Sequence, residues 1–223
     1  MNIVLFGGTG MVGQGVLREC LLDPDVQTVL AVGRSAIGQS HPKLRELMHR
    51  DFLDFSPVER EFAGFDACFF CLGVSSVGMA EDDYRRVTYD FALAAARTLV
   101  RLSPGMTFVY VSGAGTDSSE RGRVMWARVK GRTENALLAL PFKGAYMFRP
   151  GVIVPLYGIQ SSTKAYRIAY TVLGPLLPLV KRIFPNRITT TRQVGRAMLS
   201  AARHGAAKRV LDPADINELA ARV

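Results

Sequence analysis

The sequence predicts a doubly wound α/β fold, in which helices cover both faces of one parallel sheet. Apolar runs alternate with helical patterns along the chain, and the runs are near-continuously hydrophobic, as in strands buried on both faces. A glycine-rich turn separates the first strand from the first helix. Right-handed crossovers then give the strand order 3-2-1-4-5-6, with 209–211 as a seventh strand. The 223 residues are enough for a single domain, 1–223, with a small helical C-terminal appendage.

The elements follow one another with the rhythm of strand and helix. Apolar runs predict strands at 2–6, 28–32, 46–50, 66–71, 107–112 and 145–149. Helical patterns lie at 11–22, 80–102 and 122–139. The run at 46–50 is less apolar than the others, and the alternation places a strand there.

The charge balance favours anionic ligands or surfaces without naming one. The chain carries 28 Lys and Arg against 19 Asp and Glu, a formal net charge of +9. The basic residues are scattered over helix faces and no nucleic-acid-binding motif accompanies them, so no nucleic-acid partner is expected. The chain starts directly in an apolar strand, without the pattern of a secretory signal. Three cysteines without an even framework fit a reducing compartment, and we expect a cytoplasmic protein.

Cys68 and Cys71 form a C-x-x-C pattern within an apolar run. Residues three apart on a strand point to opposite faces, so the two sulfurs should face away from each other. We therefore interpret both cysteines as structural. The three histidines show no metal-ligand spacing, and no metal site is predicted.

The segment 161–184 has apolar residues at helical spacing and an internal break at Gly174 and Pro175. Its uncharged part, 168–180, is too short to span a bilayer. A packed helix pair over the end of the sheet is the simplest interpretation. A homodimer face, a lid over the site and a peripheral membrane contact are the alternatives, the last because basic residues flank both ends.

The glycine-rich turn carries the strongest functional signal. Gly7, Gly10 and Gly13 are spaced three apart, directly after the first strand and at the start of a helix. Glycine allows a tight turn and a close approach of the backbone to a pyrophosphate, and the helix N-terminus presents free N–H groups to the anion. This pattern predicts a dinucleotide-binding turn.

The end of the second strand indicates which dinucleotide is bound. Proteins that bind NAD often carry an acid there to hold the ribose 2′-hydroxyl, whereas this chain has Arg34 and Ser35. Arginine pairs with a 2′-phosphate that an acid would repel, so NADP is favoured over NAD. Asp51, after the third strand, could accept a hydrogen bond from the adenine amino group, or it could be an exposed loop acid.

The end of the fifth strand and the helix after it supply candidate catalytic groups. Ser112 is expected at the carboxyl edge of the sheet, where its hydroxyl could bind a substrate carbonyl or the cofactor. Trp126 and Lys130 lie four residues apart and share one helix face. Both should therefore look toward the same crevice.

These motifs resemble the short-chain dehydrogenase/reductase superfamily, and most nearly its small atypical branch of NmrA-like and Tat-interacting-protein-like oxidoreductases. The resemblance runs through most of the chain, in "GGTGMVG", "GRS", "CLG", "YVSGAGTDSS", "WARVKGRTENAL" and "FRPG". It implies a Rossmann fold with bound NADP.

The resemblance also implies a role for each matching residue. The pyrophosphate would be bound by Gly7, Thr9, Gly10, Met11, Val12 and Gly13. The adenosine half would be held by Arg34 and Ser35 at the 2′-phosphate, Asp51 and Phe52 at adenine, and Leu72 and Gly73 at the ribose. The nicotinamide half would be flanked by Pro150, Gly151 and Val152. Ser112 would be the active-site serine, and Lys130 would bond the nicotinamide ribose.

One position departs from the family pattern. Trp126 stands where active members carry a tyrosine, and an indole N–H only donates. We expect Trp126 and Tyr157 to line the substrate pocket. Three interpretations remain open: an NADPH-dependent oxidoreductase of a small carbonyl substrate, a catalytically silent NADP(H) sensor or regulator, and a fold without cofactor. The first needs a proton from Tyr157, from Tyr84, or from a water held by Ser112 and Lys130.

Overall fold

A computed structural model describes residues 1–159 and 187–222 and has the predicted doubly wound architecture. Its strands are β1 (Asn2–Phe6), β2 (Thr28–Gly33), β3 (Leu44–Met48), β4 (Ala67–Phe70), β5 (Thr107–Val111), β6 (Gly144–Phe148), β7 (Val152–Val154), β8 (Ile188–Thr190) and β9 (Val210–Leu211). Seven of them form one parallel sheet in the order β3-β2-β1-β4-β5-β6-β9. This confirms the predicted order, with the strand near 209–211 as the seventh. The predicted strand at 46–50 begins and ends two residues earlier.

The helices confirm the predicted alternation. They are α1 (Met11–Leu22), α2 (Glu81–Arg85), α3 (Phe91–Leu102), α4 (Met125–Leu138), α5 (Thr191–His204) and α6 (Pro213–Ala220). A widened π-helical turn, Arg86–Asp90, joins α2 to α3, so the predicted helix at 80–102 is continuous. A 3₁₀ helix, Ser56–Phe62, precedes β4. The last two helices form the small helical C-terminal part.

The sheet buries both of its faces in separate apolar layers. Alternate residues of each strand point to opposite faces, so Val4 and Phe6 enter one layer while Ile3 and Leu5 enter the other. The first layer packs against α3 and a group of phenylalanine rings that includes Phe52. The second layer packs against α1, α5 and α6. The carboxyl edge of the sheet is thereby fixed between two rigid layers.

The two cysteines of the C-x-x-C pattern lie on opposite faces of the sheet. Cys68 packs in the first layer, and Cys71 packs against the second. Burial raises the pKa of both thiols well above the ordinary value. The geometry predicted from strand periodicity is confirmed, and both cysteines are packing residues.

A second, two-stranded sheet was not predicted. β7 pairs in parallel with β8, so the chain after β6 is held beside the start of α5. A Cβ at Gly151 would lie 2.6 Å from the carbonyl oxygen of Arg187, so glycine permits this approach. The whole of 161–184 is outside the described residues, and its predicted helix pair stays a prediction. Within 1–159 and 187–222, no helix is both long enough and apolar enough to cross a membrane.

The loop between β5 and α4 crosses its helix at very short range. A Cβ at buried Gly131 would lie 1.8 Å from the carbonyl oxygen of Asp117. The backbone N–H of Asp117 also donates to the carbonyl of Ala127 at 3.1 Å. Glycine at position 131 is therefore required for the loop that begins at Ser112 to keep its place on α4.

Gly131→Ala should lower the free energy of unfolding by about 2–3 kcal/mol, because the new methyl group overlaps a backbone oxygen that can move only with the loop. Gly105→Ala is the matched control, since no heavy atom lies within 4 Å of a Cβ there. It should change stability by less than about 1 kcal/mol. Urea unfolding measures both variants, and equal losses would contradict the described contact.

Candidate functional site

The glycine-rich turn brings three stretches of backbone into direct contact. Gly7 has φ +78°, and a Cβ on it would lie 2.7 Å from the backbone nitrogen of Leu72 after β4. A Cβ on Gly13 would lie 2.0 Å from the carbonyl oxygen of Gly7. The N–H of Gly10 donates to that same oxygen at 3.0 Å, closing the turn. The glycines at positions 7 and 13 are thus explained by contacts that no side chain could enter, whereas a Cβ on Gly10 would lie 3.4 Å from the carbonyl oxygen of Gly7.

The N-terminus of α1 is open to an anion. Its cap residue is Gly10, which offers no side-chain acceptor, and the first turn contains no acid. The first N–H groups of a helix have no partner within the helix, and the helix dipole favours negative charge there. Thr9 precedes the cap, and Met11 and Val12 form the first turn. The predicted pyrophosphate residues therefore surround one helix end.

A small cavity of about 100 Å³ lies beside this turn, at the ends of β1, β2 and β4. The sequence-predicted residues in its lining are Gly7, Thr9, Arg34, Ser35, Phe52 and Leu72. Its lining also includes residues that the sequence did not single out: Gly8, Ala31, Val32, Gly33 and Ile37. Ile37 can be identified as a lining residue only from the structure, in which its Cδ1 would lie 2.8 Å from a Cβ on Gly8. No carboxylate lines this cavity, and Arg34 is exposed without an ion pair to any described residue.

Two predicted residues of the adenosine half lie outside that cavity lining. Asp51 is exposed, and its carboxylate accepts a hydrogen bond from the N–H of Leu53 at 2.9 Å. Gly73 is exposed in the loop after β4. The described contact of Asp51 is therefore a local turn, and its role at adenine stays a prediction.

Ser112 follows β5 directly and is buried. Its Oγ lies 3.0 Å from the Oγ1 of Thr116, and the Thr116 hydroxyl lies 2.8 Å from the carbonyl of Gly113. Because Thr116 has one proton and donates it to that carbonyl, the Ser112 hydroxyl donates to Thr116. Thr116 therefore orients the predicted active-site serine. The one signal for this role in the sequence is that a threonine, Thr116, ends the stretch "SGAGT".

Trp126 and Lys130 face β5 and the loop that follows it. The Trp126 ring lies against Gly115, whose Cβ would be 3.5 Å from Cη2 of the indole. The Nζ of Lys130 lies 5.3 Å from the centre of the Tyr110 ring, a cation–π arrangement. Pro150 is held nearby, since its carbonyl accepts from the N–H of Ala114 at 2.9 Å. Gly151 and Val152 continue from it into β7.

A buried ion pair sets the electrostatics around Lys130. Burial lowers the pKa of Lys130 from its ordinary 10.5 to about 8, and the Glu134 carboxylate one turn later opposes this shift. Glu134 is 1% exposed and accepts two hydrogen bonds from Nε of Arg149, at 3.0 and 3.2 Å, and another from Nη2. That Nη2 also donates to Ser118 in the β5–α4 loop, at 2.5 Å. Glu134 and Arg149 were not singled out as site residues in the sequence.

The two tyrosines considered as proton donors lie in different places. Tyr84 is buried on α2, and burial raises its pKa. A negative charge on the Tyr84 phenolate would in turn raise the pKa of Tyr110, which lies beneath Lys130. Tyr157 instead stacks on the guanidinium of Arg18, 3.6 Å from its ring centre. The cavities that Tyr157 lines include neither Ser112 nor Lys130. Of these two tyrosines, Tyr84 is therefore the better candidate for a proton donor, because it lies near Tyr110 beneath Lys130.

Exposed valines surround the carboxyl edge of the sheet. Val74 and Val77 lie after β4, Val124 precedes α4, and Val152 follows β6. Their exposed fractions are 43%, 87%, 51% and 50%. An apolar rim of this kind favours a ligand with an apolar body.

No protein-family model matches the sequence. Rat Protein HTATIP2 is 26% identical over 156 residues, which are 69% of this chain and 63% of the rat protein. Protein FMP52, mitochondrial, from Eremothecium gossypii is 30% identical over 156 residues, which are 69% of this chain and 67% of that protein. The chain thus spans slightly less than two thirds of the rat relative.

A solved structure with the same fold is that of the Bordetella bronchiseptica enzyme WbmF in complex with NAD⁺. The superposition has a TM-score of 0.66 and covers 97% of this chain and 76% of that chain, at 14% sequence identity. This likeness, together with the strand order, shows a Rossmann fold.

Lys130→Met should change how stability depends on pH. Between about pH 8 and 10.5 the unfolded chain keeps a proton on Lys130 that the folded protein has lost, so the folded wild type gains stability as pH rises. From about pH 7 to pH 9.5, wild type should gain about 1–2 kcal/mol relative to Lys130→Met in urea unfolding. Lys143→Met, at an exposed lysine, is the control and should keep a constant difference from wild type. A constant difference for Lys130→Met as well would show that the ammonium is not desolvated.

Proposed function

Because this chain belongs to the family of the HTATIP2 and FMP52 proteins, an NmrA-like branch of the atypical short-chain dehydrogenase/reductases, we propose that it binds NADP(H) and reduces a small carbonyl compound. The observation that carries this proposal is the contact of the Gly7 turn with Leu72 and Gly13, beside a cavity that holds Arg34. A backbone cradle, an open helix N-terminus and a guanidinium with no ion pair to the described residues together match a phosphorylated dinucleotide.

In this proposal each part of the cofactor has its own set of residues. The turn and the first residues of α1 would hold the pyrophosphate. Arg34 and Ser35 would hold the 2′-phosphate above Phe52. Lys130 would bond the ribose next to the nicotinamide, with Pro150, Gly151 and Val152 at its side. Bound NADPH would supply the hydride.

The preference for NADP rests on the residues that line the adenosine cavity. Arg34 is exposed beside it and unpaired with any described residue, whereas the lining contains no carboxylate to accept from a 2′-hydroxyl. A guanidinium donates two parallel hydrogen bonds to the oxygens of a phosphate, and the single 2′-hydroxyl of the NAD ribose cannot accept such a pair.

The catalytic groups would be Ser112 and Lys130. Ser112 lies at the carboxyl edge of the sheet, and with substrate bound its hydroxyl would rotate away from Thr116 and donate to the substrate carbonyl oxygen. Lys130, with a pKa of about 8, is largely protonated at neutral pH and would hold a water with Ser112 that protonates this oxygen. Trp126 would form a wall of the pocket, and the valine rim favours a substrate with an apolar body.

A second candidate function is a silent NADP(H) sensor. It is favoured by Trp126, which cannot transfer a proton, and by the engagement of the Ser112 hydroxyl with Thr116. A sensor requires a partner that binds differently to the NADP⁺ and NADPH forms, because a ligand with equal affinity for two states shifts neither. Equal partner affinity in both forms would exclude it.

The domain organisation and the partners are part of the same proposal. We propose a single domain over 1–223 that binds a small-molecule substrate. For 161–184, homodimer formation is an alternative to a packed helix pair. The FMP52 relatives carry the word mitochondrial in their names, so the cytoplasmic location stays a prediction.

Arg34→Asp should weaken NADPH binding at least tenfold while changing NADH binding much less, because only NADPH loses a charge-assisted phosphate contact, worth about 1.5–3 kcal/mol. Fluorescence titration of both cofactors measures this. Arg60→Asp makes the same charge change at an exposed arginine outside the cavity and should leave both affinities unchanged. Equal losses for NADPH and NADH in Arg34→Asp would refute the phosphate contact.

Ser112→Ala should lower kcat for substrate-dependent NADPH oxidation by about 100-fold or more, because the substrate oxygen loses its hydrogen-bond donor. NADPH affinity should be unchanged. Trp126→Phe should change kcat by less than about tenfold, since the indole serves only as a wall. The assay uses a panel of aldehydes, ketones, quinones and enones. If no compound of this panel raises NADPH oxidation above the rate without substrate, the enzyme proposal is wrong and the sensor function is favoured.

A further inference from the structure

A second cavity lies on the flank of the domain. It has a volume of about 390 Å³ and lies between the second half of α1, the start of α5 and the turn after β7. Its lining consists of Arg18, Glu19, Leu22, Asp23, Tyr157, Arg192, Arg196 and Leu199. We call it the flank cavity. None of these residues lines the adenosine cavity, and a further cavity of about 740 Å³ adjoins both, because its lining shares Tyr157 with the flank cavity and Thr9 with the adenosine cavity.

Positive charge predominates in the flank cavity. Its two acids are already paired, Glu19 with Arg18 at 2.6 Å and Asp23 with Arg203. Arg192 and Arg196 have no hydrogen bond or ion pair through their side chains with any described residue. The segment 160–186, which follows the Tyr157 turn, contains no Asp or Glu and so cannot supply a carboxylate.

The placement of Arg192 and Arg196, which have no side-chain partner among the described residues, is unfavourable in the absence of an anion. They lie four residues apart on one face of α5, where like charges repel. Arg192 is also in the first turn of the helix, at the positive end of its dipole. A bound anion would relieve both effects.

Tyr157 gives the cavity an aromatic wall. It has φ +60°, an uncommon backbone conformation for a tyrosine, and the next residue, Gly158, has φ +75°. This turn places the ring over the guanidinium of Arg18, at 3.6 Å from the ring centre. Leu22 and Leu199 add apolar surface to the lining.

We propose that the flank cavity is a second ligand site, in which Arg192 and Arg196 bind the phosphate of a phosphomonoester and Tyr157 contacts the apolar body attached to it. Two guanidinium forks match the geometry and the double charge of a phosphomonoester better than those of a single carboxylate. A free phosphorylated metabolite and a phosphatidic-acid headgroup share this chemistry.

The test is a calorimetric titration of the full chain with phenyl phosphate, with NADPH present in excess so that the proposed cofactor site is filled. Wild type should bind with a dissociation constant of about 1 mM or lower. Arg192→Gln/Arg196→Gln should bind at least about tenfold more weakly. The control Arg97→Gln/Arg101→Gln removes the same charge from two exposed arginines four apart on α3, and should bind like wild type.

Tyr157→Asn tests the aromatic wall, because asparagine tolerates the positive φ and lacks the ring. It should remove the preference of wild type for phenyl phosphate over inorganic phosphate. Co-sedimentation with phosphatidic-acid vesicles that is lost in Arg192→Gln/Arg196→Gln identifies a lipid headgroup as the source. Binding of phenyl phosphate without co-sedimentation identifies a soluble ligand.

Equal affinity of wild type and Arg192→Gln/Arg196→Gln would overturn the proposal, as would absence of phenyl phosphate binding to wild type. Thermal unfolding midpoints within a degree or so of wild type establish that each variant is folded. NADPH affinity is measured on the same samples and should be unchanged. A failure at the cofactor site is thereby distinguished from a failure at the flank cavity.

Discussion

Three backbone segments meet where the strand order of the sheet reverses, between β1 and β4. Gly7 touches the peptide of Leu72, and Gly13 touches the carbonyl of Gly7, at distances that leave no room for a side chain. This contact fixes the direction in which α1 leaves the sheet and leaves its N-terminal N–H groups uncovered. The adenosine cavity opens beside it because β1, β2 and β4 end at the same edge.

The same kind of close contact organises the other half of the site. Gly131 lets the β5–α4 loop cross α4, and this loop holds Ser112 at its start and Ser118 at its midpoint. Arg149 ties Ser118 to the buried carboxylate of Glu134, one turn from Lys130. The environment of the lysine is therefore a consequence of loop packing.

The local sequence pattern was sufficient to predict the sheet, its strand order and the glycine turn. Continuous apolar runs indicate buried strands, and the glycine spacing indicates a close approach of the backbone. The pattern was insufficient to predict contacts between residues that are distant in the sequence. β7 and β8 are three residues each, and they pair across a stretch of chain where Gly151 lies close to Arg187. The positive φ of Tyr157 turns its ring toward α1, whereas its sequence neighbours suggested the substrate pocket. Glu134 looks like an ordinary helix-surface acid until Arg149 is placed beside it.

The Gly7 turn and the start of α1 form the proposed dinucleotide cradle. The backbone amide NMR spectrum of the protein, recorded as NADPH is added, tests this cradle most directly. We expect shifts, complete at one equivalent, for the amides of Met11, Val12 and Gly13, since their N–H groups would face the pyrophosphate. Unchanged signals for these three amides at saturating NADPH would contradict the dinucleotide cradle.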